Sequence, residues 1–144
     1  MAKPLVSTPN NAPILLAGAM ARYDRLVGER AISDKPECRA SLERLLVLLV
    51  RNGGPLPQLT ATISEGVEVQ WLVHDDLVAL IVGDNGDWIL WSEDRQNREL
   101  FEREGRNGVA PPTSVVRAAA KQLALMGQVL TEIGPQPPQP QGTG

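Results

Sequence analysis

Apolar and polar residues alternate along the middle of the chain. Residues 67–74 read VEVQWLVH, the apolar run LVALIV follows at 77–82, and WILW follows at 88–91. A period of two places successive side chains on opposite faces of a strand. The breaks between the runs carry turn residues, two aspartates at 75–76 and Asn-Gly at 85–86, and Asn-Gly is the strongest short-range hairpin signal. The pattern predicts an antiparallel meander.

An earlier strand completes the predicted sheet. Residues 57–63 have strand spacing, with Leu59, Ala61 and Ile63 facing inward, so four strands are expected over about residues 57–92. The third of the four is apolar at successive positions and therefore on both faces, which is typical of a central strand that is covered on each side. Helices on one face, and a partner or the C-terminal helix of the chain on the other face, would supply that cover.

Two helices are predicted before the strands. The first begins with Asn11 as its N-cap and ends near Gly28. The second begins with Asp34 as its N-cap, Glu37 completes a capping box, and an Asn-Gly-Gly-Pro sequence ends it. Apolar residues fall at helical spacing along one side of this second helix: Cys38, Leu42, Leu45, Leu46 and Leu49.

A third helix is predicted from about Ser114 to Glu132, because apolar residues recur there at alternating spacings of three and four. They are Val116, Ala119, Leu123, Met126, Leu130 and Ile133. This stripe has two interpretations. It packs on the sheet of its own chain, or it associates with a second copy in a two-fold dimer, the commonest closed symmetry.

The segment 93–108 differs in composition from everything before it. It is rich in Glu, Asp, Arg, Gln and Asn, and Leu100 and Phe101 are its only large apolar residues. This composition predicts a solvated loop. The alternative is a short exposed helix in which Glu99 and Arg103 are spaced as an i,i+4 pair.

The predicted elements form one α+β domain, with two N-terminal helices, a four-stranded antiparallel meander, and a C-terminal helix on the sheet or on a partner. We expect a flexible segment at 1–12, the domain at 13–133, and a disordered Pro/Gln/Gly tail at 134–144. A length of 144 residues suits a single domain with one core.

Charge and cysteine content narrow the class of protein. The formal net charge is −3, which argues against a general binder of nucleic-acid phosphates. The single cysteine, Cys38, excludes an intrachain disulfide and a multi-cysteine zinc site, and it favours a reducing cytoplasm. No apolar run approaches the length of a membrane span, so no membrane partner is expected.

Candidate chemistry is sparse. His74, Asp75 and Asp76 could bind a metal or share a proton, but they are consecutive and fall in a predicted turn, whose chemistry explains them. Residues 84–87 resemble part of a calcium loop but lack its ligand spacing. Cys38 would need His74 brought close to it to act as a nucleophile, and a buried thiol is the alternative. No catalytic residue, cofactor or metal ligand is assigned.

The tryptophans offer a different kind of site. Trp88 and Trp91 lie on opposite faces if their strand is regular, so one is partly exposed or is covered by another element. A partly exposed tryptophan is a common anchor for a partner. The candidate partner-binding residues are Trp88, Trp91, Val116, Leu123 and Leu130.

These features favour a non-enzymatic protein–protein interaction protein, a bacterial accessory protein of chaperone-like or immunity- or antitoxin-like type, whose partner is another protein or a second copy. The alternative is a small enzyme or ligand-binding domain with a pocket between sheet and helices, using residues 74–76 or Cys38. Nucleic-acid binding through the arginines at 95, 98, 103 and 106 is disfavoured because acidic residues are interleaved among them.

Overall fold

Two helices precede the strands and one follows them in the computed structural model of the chain, which describes the backbone of residues 11–133 and the side chains of residues 11–128. The helices are α1 (Ala12–Gly28), α2 (Pro36–Leu49) and α3 (Thr113–Ile133). The strands are β1 (Gln58–Ala61), β2 (Val67–Val73), β3 (Asp76–Val82), β4 (Trp88–Glu93) and β5 (Glu99–Gly105). The predicted α+β class is confirmed. Most of the segment predicted to be flexible at 1–12, and the whole predicted tail at 134–144, lie outside the described residues.

The five strands form a meander, because each strand pairs antiparallel with the next one along the chain. β3 is the central strand, and the row Leu59–Val69–Leu80–Leu90 crosses the sheet from β1 to β4. Tight turns between consecutive strands explain this order, since neighbouring strands in sequence can then pair directly.

The prediction of four strands is wrong by one, because the segment predicted as a loop or short helix contains β5. This strand pairs with β4 from Glu93↔Glu99 to Trp88↔Gly105. The carboxylate of Asp94 closes the hairpin by accepting the N–H groups of Gln96 and Arg98, and these bonds lower the pKa of Asp94. Backbone pairing therefore sets the conformation of β5, while its charged side chains suit the exposed edge of a sheet.

All three helices cover one face of the sheet. A single cluster of buried side chains joins them to alternate residues of the strands, which is the pattern of a sheet with one covered face. The strand residues in this cluster are Leu59, Val67, Val69, Trp71, Val73, Val78, Leu80, Val82, Trp88 and Leu90. The third helix therefore does not cover the other face, so that part of the sequence expectation is wrong.

The first strand is shorter than predicted. Leu59 is buried, but Ala61 is exposed and Ile63 is fully exposed, so the expected inward positions of these two residues are wrong. The reason is a turn at the end of β1. The N–H of Gly66 donates to the hydroxyl of Thr62 at 2.9 Å, and the chain has already left the sheet at Ile63.

The predicted helix caps are only partly right. Asn11 is the N-cap of α1, but its side chain bonds to the backbone of Gly54 at 3.1 Å instead of capping the helix. The capping box expected from Asp34 and Glu37 is absent, since α2 begins after Lys35 without a side-chain cap. Asn11 therefore ties the start of α1 to the loop after α2.

The apolar stripe of α3 packs inside its own chain over the part whose side chains are described. Val116, Ala119, Leu123 and Met126 are buried, and α3 contacts α2, β2 and β3. The side chain of Leu130 lies outside the described part. Among the described residues, no helix is long and apolar enough to cross a bilayer.

Candidate functional site

The residues that could carry chemistry lie far apart. His74 and Asp75 form the two-residue turn between β2 and β3, and both have positive φ, 52° and 71°, as a type I′ turn requires. The thiol of Cys38 lies 3.8 Å from the carbonyl oxygen of Val82, at the opposite end of β3. Asp76 and Val82 are the first and last residues of the extended strand β3, so roughly 20 Å separates them. The histidine and the cysteine therefore do not share a site.

Cys38 is also poorly suited to act as a nucleophile. It is fully buried, and burial raises the pKa of its thiol, with a smaller contribution in the same direction from the Asp84 carboxylate. The Tyr23 hydroxyl near it is also buried, and burial, together with the neighbouring Cys38 thiol, raises the pKa of Tyr23. Because the thiolate is the reactive form, a raised pKa makes this cysteine less reactive at neutral pH.

The polar groups of the turn between β3 and β4 form hydrogen bonds within the turn and with neighbouring residues of the chain. The side chain of Asn85 accepts the N–H of Asp87 at 3.0 Å, and the Asp87 carboxylate accepts the N–H of Asn107 at 2.9 Å. Ser41 of α2 donates to the carbonyl of Gly86 at 2.7 Å. Across the described residues, no group of three or more His, Cys, Asp or Glu side chains could hold a metal ion.

Trp88 and Trp91 lie on opposite faces of β4. Trp88 is 3% exposed in the core, and its indole N–H donates to the carbonyl of Val109 at 2.8 Å. Its ring lies against Gly105, where a Cβ would be only 2.4 Å from a ring carbon. Trp91 is half-buried on the face away from the helices.

Two other candidate partner-binding residues, Val116 and Leu123, are less accessible than Trp91. Val116 and Leu123 are 4% and 0% exposed, because both lie in the core of their own chain. The side chain of Leu130 lies beyond the described part of the chain. Among the candidates whose side chains are described, Trp91 is thus the one that a partner could contact directly.

The face that carries Trp91, here called the outer face, has an apolar centre. Its residues form three rows from β2 to β5, as the strand register shows: Glu68–Ile81–Ile89–Glu104, Gln70–Ala79–Trp91–Glu102, and Leu72–Leu77–Glu93–Glu99. We call its apolar members the apolar stripe: Leu72, Leu77, Ala79, Ile81, Ile89 and Trp91. None of them belongs to the core cluster beneath the helices; Leu72 is 62% exposed, Ala79 is fully buried, and the other four are half-buried.

Carboxylates border the apolar stripe. The acidic rim consists of Glu68 on β2, Glu93 on β4 and three glutamates on β5, Glu99, Glu102 and Glu104. None of the five forms an ion pair with a described residue, since the described pairs are Arg39–Asp24, Arg95–Asp76 and Arg98–Asp94. The three rows contain no lysine or arginine. The outer face is therefore apolar in the middle and negatively charged along its sides.

A groove continues the apolar stripe toward the β3–β4 turn. Its volume is about 470 Å³, and Gly83 and Gly105 are among its lining residues. The remaining lining residues are Ile81, Asp87, Trp88, Ile89, Glu104 and Arg106. Ile81 and Ile89 belong to both the groove and the stripe, so an apolar side chain of a partner could enter the groove while the partner covers the stripe.

Sequence reasoning did not identify Ile81, Ile89 or the acidic rim as parts of a site. One sequence signal pointed to this surface. The run 77–82 is apolar on both faces, which indicated that the face away from the main core is also covered. A second signal was the spacing of Glu102 and Glu104, which puts both on one face of a strand. It was missed because the segment was predicted to be a loop.

Comparison of the chain with protein-family models, with curated proteins and with solved structures gives no match.

Proposed function

We propose that this chain is a non-enzymatic protein–protein interaction protein that binds a partner protein through the outer face of its sheet. The observation that carries the proposal is an apolar stripe, containing Trp91, that no described helix covers and that is bordered by carboxylates which form no ion pair with a described residue. Contiguous exposed apolar surface with a polar border is characteristic of sites where partners bind.

The charge of the acidic rim selects the kind of partner. A protein surface with an apolar centre and flanking lysines or arginines would bury the stripe and neutralise the rim. A second copy bound face to face would instead bring two acidic rims together, and like charges across an interface oppose binding. A basic partner protein is therefore favoured over a homodimer through this face.

The enzymatic alternative has less support. It requires a pocket between the sheet and the helices, but Trp71, Leu80 and Leu90 fill that space and are at most 1% exposed. Its other requirement is a meeting of Cys38 with residues 74–76, which lie near opposite ends of β3. A chaperone-like role or an immunity- or antitoxin-like role, in which a small acidic protein covers a basic surface, agrees better with the outer face.

The test is affinity capture from an extract of the source cells with three forms of the chain. The first is the wild type. The second is Leu72→Asp, on the outer face, where the side chain is 62% exposed, and the third is the matched control Val47→Asp on α2, where it is 49% exposed. Both replaced side chains are about half exposed or more, so both variants should fold, which circular dichroism checks.

We expect one protein to be retained by the wild type and by Val47→Asp, and to be lost with Leu72→Asp. With that protein purified, Trp91→Ala should weaken binding at least tenfold in calorimetry, as expected for an interface anchor worth more than about 1.4 kcal/mol. Equal retention by all three forms, or loss with Val47→Asp alone, would refute the assignment of the outer face as the binding surface.

A further inference from the structure

We infer that the segment bound on the outer face is a basic amphipathic α-helix lying along β3 and β4. This inference rests on the proposed function and specifies the structure of the partner. It follows from the width of the apolar stripe, its length, and the positions of the carboxylates on each side of it.

The width of the stripe matches a helix better than a second sheet. Its residues lie mainly on the two neighbouring strands β3 and β4, and the flanking carboxylates stand on β2 and β5, three strand spacings or roughly 14 Å apart. A helix with its side chains is about 10–12 Å across and fits between them. A sheet packed face to face would extend over the rim and bury carboxylates against its outer strands.

The length of the stripe sets the length of the helix. Leu77 to Ile81 spans roughly 13 Å of β3, and the groove beside Gly83 and Gly105 extends the apolar surface by about two more residues of strand. At 1.5 Å per residue, a helix of about nine to thirteen residues covers this distance. Three turns present apolar side chains at positions i, i+3 or i+4, and i+7, the pattern by which amphipathic helices bind grooves.

The rim carboxylates are placed to pair with both flanks of such a helix. Glu68 lies on one side, and Glu102 and Glu104 lie on the other, with Ile81, Ile89 and Trp91 between them. Lysines or arginines on the two flanks of a helix would reach these carboxylates while its apolar face stays on the stripe. An apolar residue near one end of the helix would occupy the groove.

The inference is tested with labelled 14-residue peptides that share one composition of lysine and leucine and differ only in order. One has helical period, one alternates with the period of a strand, and one is scrambled. A further helical-period set replaces leucine by isoleucine, phenylalanine or tryptophan. Binding to the full chain is measured by fluorescence anisotropy at low and high salt, and helix formation is measured by circular dichroism.

We expect the best helical-period peptide to bind at least tenfold more tightly than the strand-period and scrambled peptides, and to gain helix on binding. Leu72→Asp should strengthen electrostatic attraction for lysine yet weaken the binding, because the apolar contact is lost. Val47→Asp, which adds the same charge on the helical layer, should leave the affinity of the peptide unchanged within about twofold.

Several results would overturn the inference. They are equal binding of the scrambled peptide, tighter binding of the strand-period peptide, no binding of any helical-period peptide, and self-association of the chain through the stripe in light scattering. These outcomes are separable from the proposed function. If cellular capture still depends on Leu72 while the helical peptides fail, the interaction role stands and only the helical partner is rejected.

Discussion

Burial changes the acid–base behaviour of two neighbouring residues, Tyr23 on α1 and Cys38 on α2. Both are fully buried, and burial raises the pKa of each hydroxyl or thiol above its usual value. Arg39 lies over this pair. Its guanidinium is 5.8 Å from the centre of the Tyr23 ring and forms an ion pair with Asp24. The pair therefore contributes to packing, and the folded state favours the neutral forms of both side chains.

This arrangement predicts a loss of stability at alkaline pH. Above the pKa of the unfolded chain, about 8.5 for cysteine and about 10 for tyrosine, the unfolded state loses protons that the folded state keeps. The free energy of unfolding should therefore be insensitive to these groups below about pH 8 and should decrease as pH rises above it. Urea denaturation between pH 7 and 11, conditions chosen to bracket these values of about 8.5 and 10, measures the effect.

The double variant Tyr23→Phe with Cys38→Ala provides the comparison, because it removes both titrating groups. Its stability at neutral pH will be lower if a small cavity forms, but its dependence on alkaline pH should be flatter than that of the wild type. An unchanged slope in the double variant would show that other groups cause the alkaline loss.

At the scale of the elements, the row of apolar residues along α3 is compatible with two packing arrangements. Its spacing suits a dimer and suits packing on the sheet of its own chain equally well. In the structure, Leu123 is fully buried, whereas Leu125, two residues further along the same helix, is 47% exposed. The two leucines therefore form a matched pair for testing where the stripe packs.

Leu123→Ala should lower the free energy of unfolding by about 2–5 kcal/mol, the usual cost of deleting a buried leucine side chain. Leu125→Ala should change it by less than about 0.5 kcal/mol, as is typical of surface substitutions. Chemical denaturation at two protein concentrations measures both. Similar costs at the two positions, or a stability that depends on concentration, would contradict the packing of α3 within its own chain.

The strands were predictable where one face is buried and the other is not. Alternation identified β2, and turn residues identified the ends of β3 and β4, so these three strands were found from sequence. β5 was not predicted from the sequence, because its side chains are nearly all exposed and its apolar residues do not alternate with polar ones. The pairing of Trp88 with Gly105 depends on a close contact between ring and backbone, and no local pattern reports such a contact.

At the scale of the whole molecule, the placement of the helices decides which surface is left for a partner. All three helices lie on the face of Val69, Leu80 and Leu90, and the opposite face keeps its apolar stripe. An exposed apolar surface favours association, while the acidic rim opposes association with an identical face. These two effects together determine the expected oligomeric state.

We predict that the purified chain is monomeric at low salt and high micromolar concentration. The described part of the α3 stripe is already buried, and two outer faces would repel each other through their rims. Multi-angle light scattering on the wild type checks this expectation. If the wild type were a dimer that Leu72→Asp separates, a second copy would be the occupant of the outer face and the preference for a basic partner would be wrong.

The sequence by itself determined the α+β class, the three helices and most of the meander, because each follows from periodicity and turn chemistry within short segments. The candidate site was different. Trp88 and Trp91 differ by an odd number of positions, so their opposite faces follow from the strand period, but which face the helices cover does not. That choice depends on contacts between elements distant in sequence, and only the tertiary structure shows that Trp91 stands among Ile81, Ile89 and the glutamates of β5.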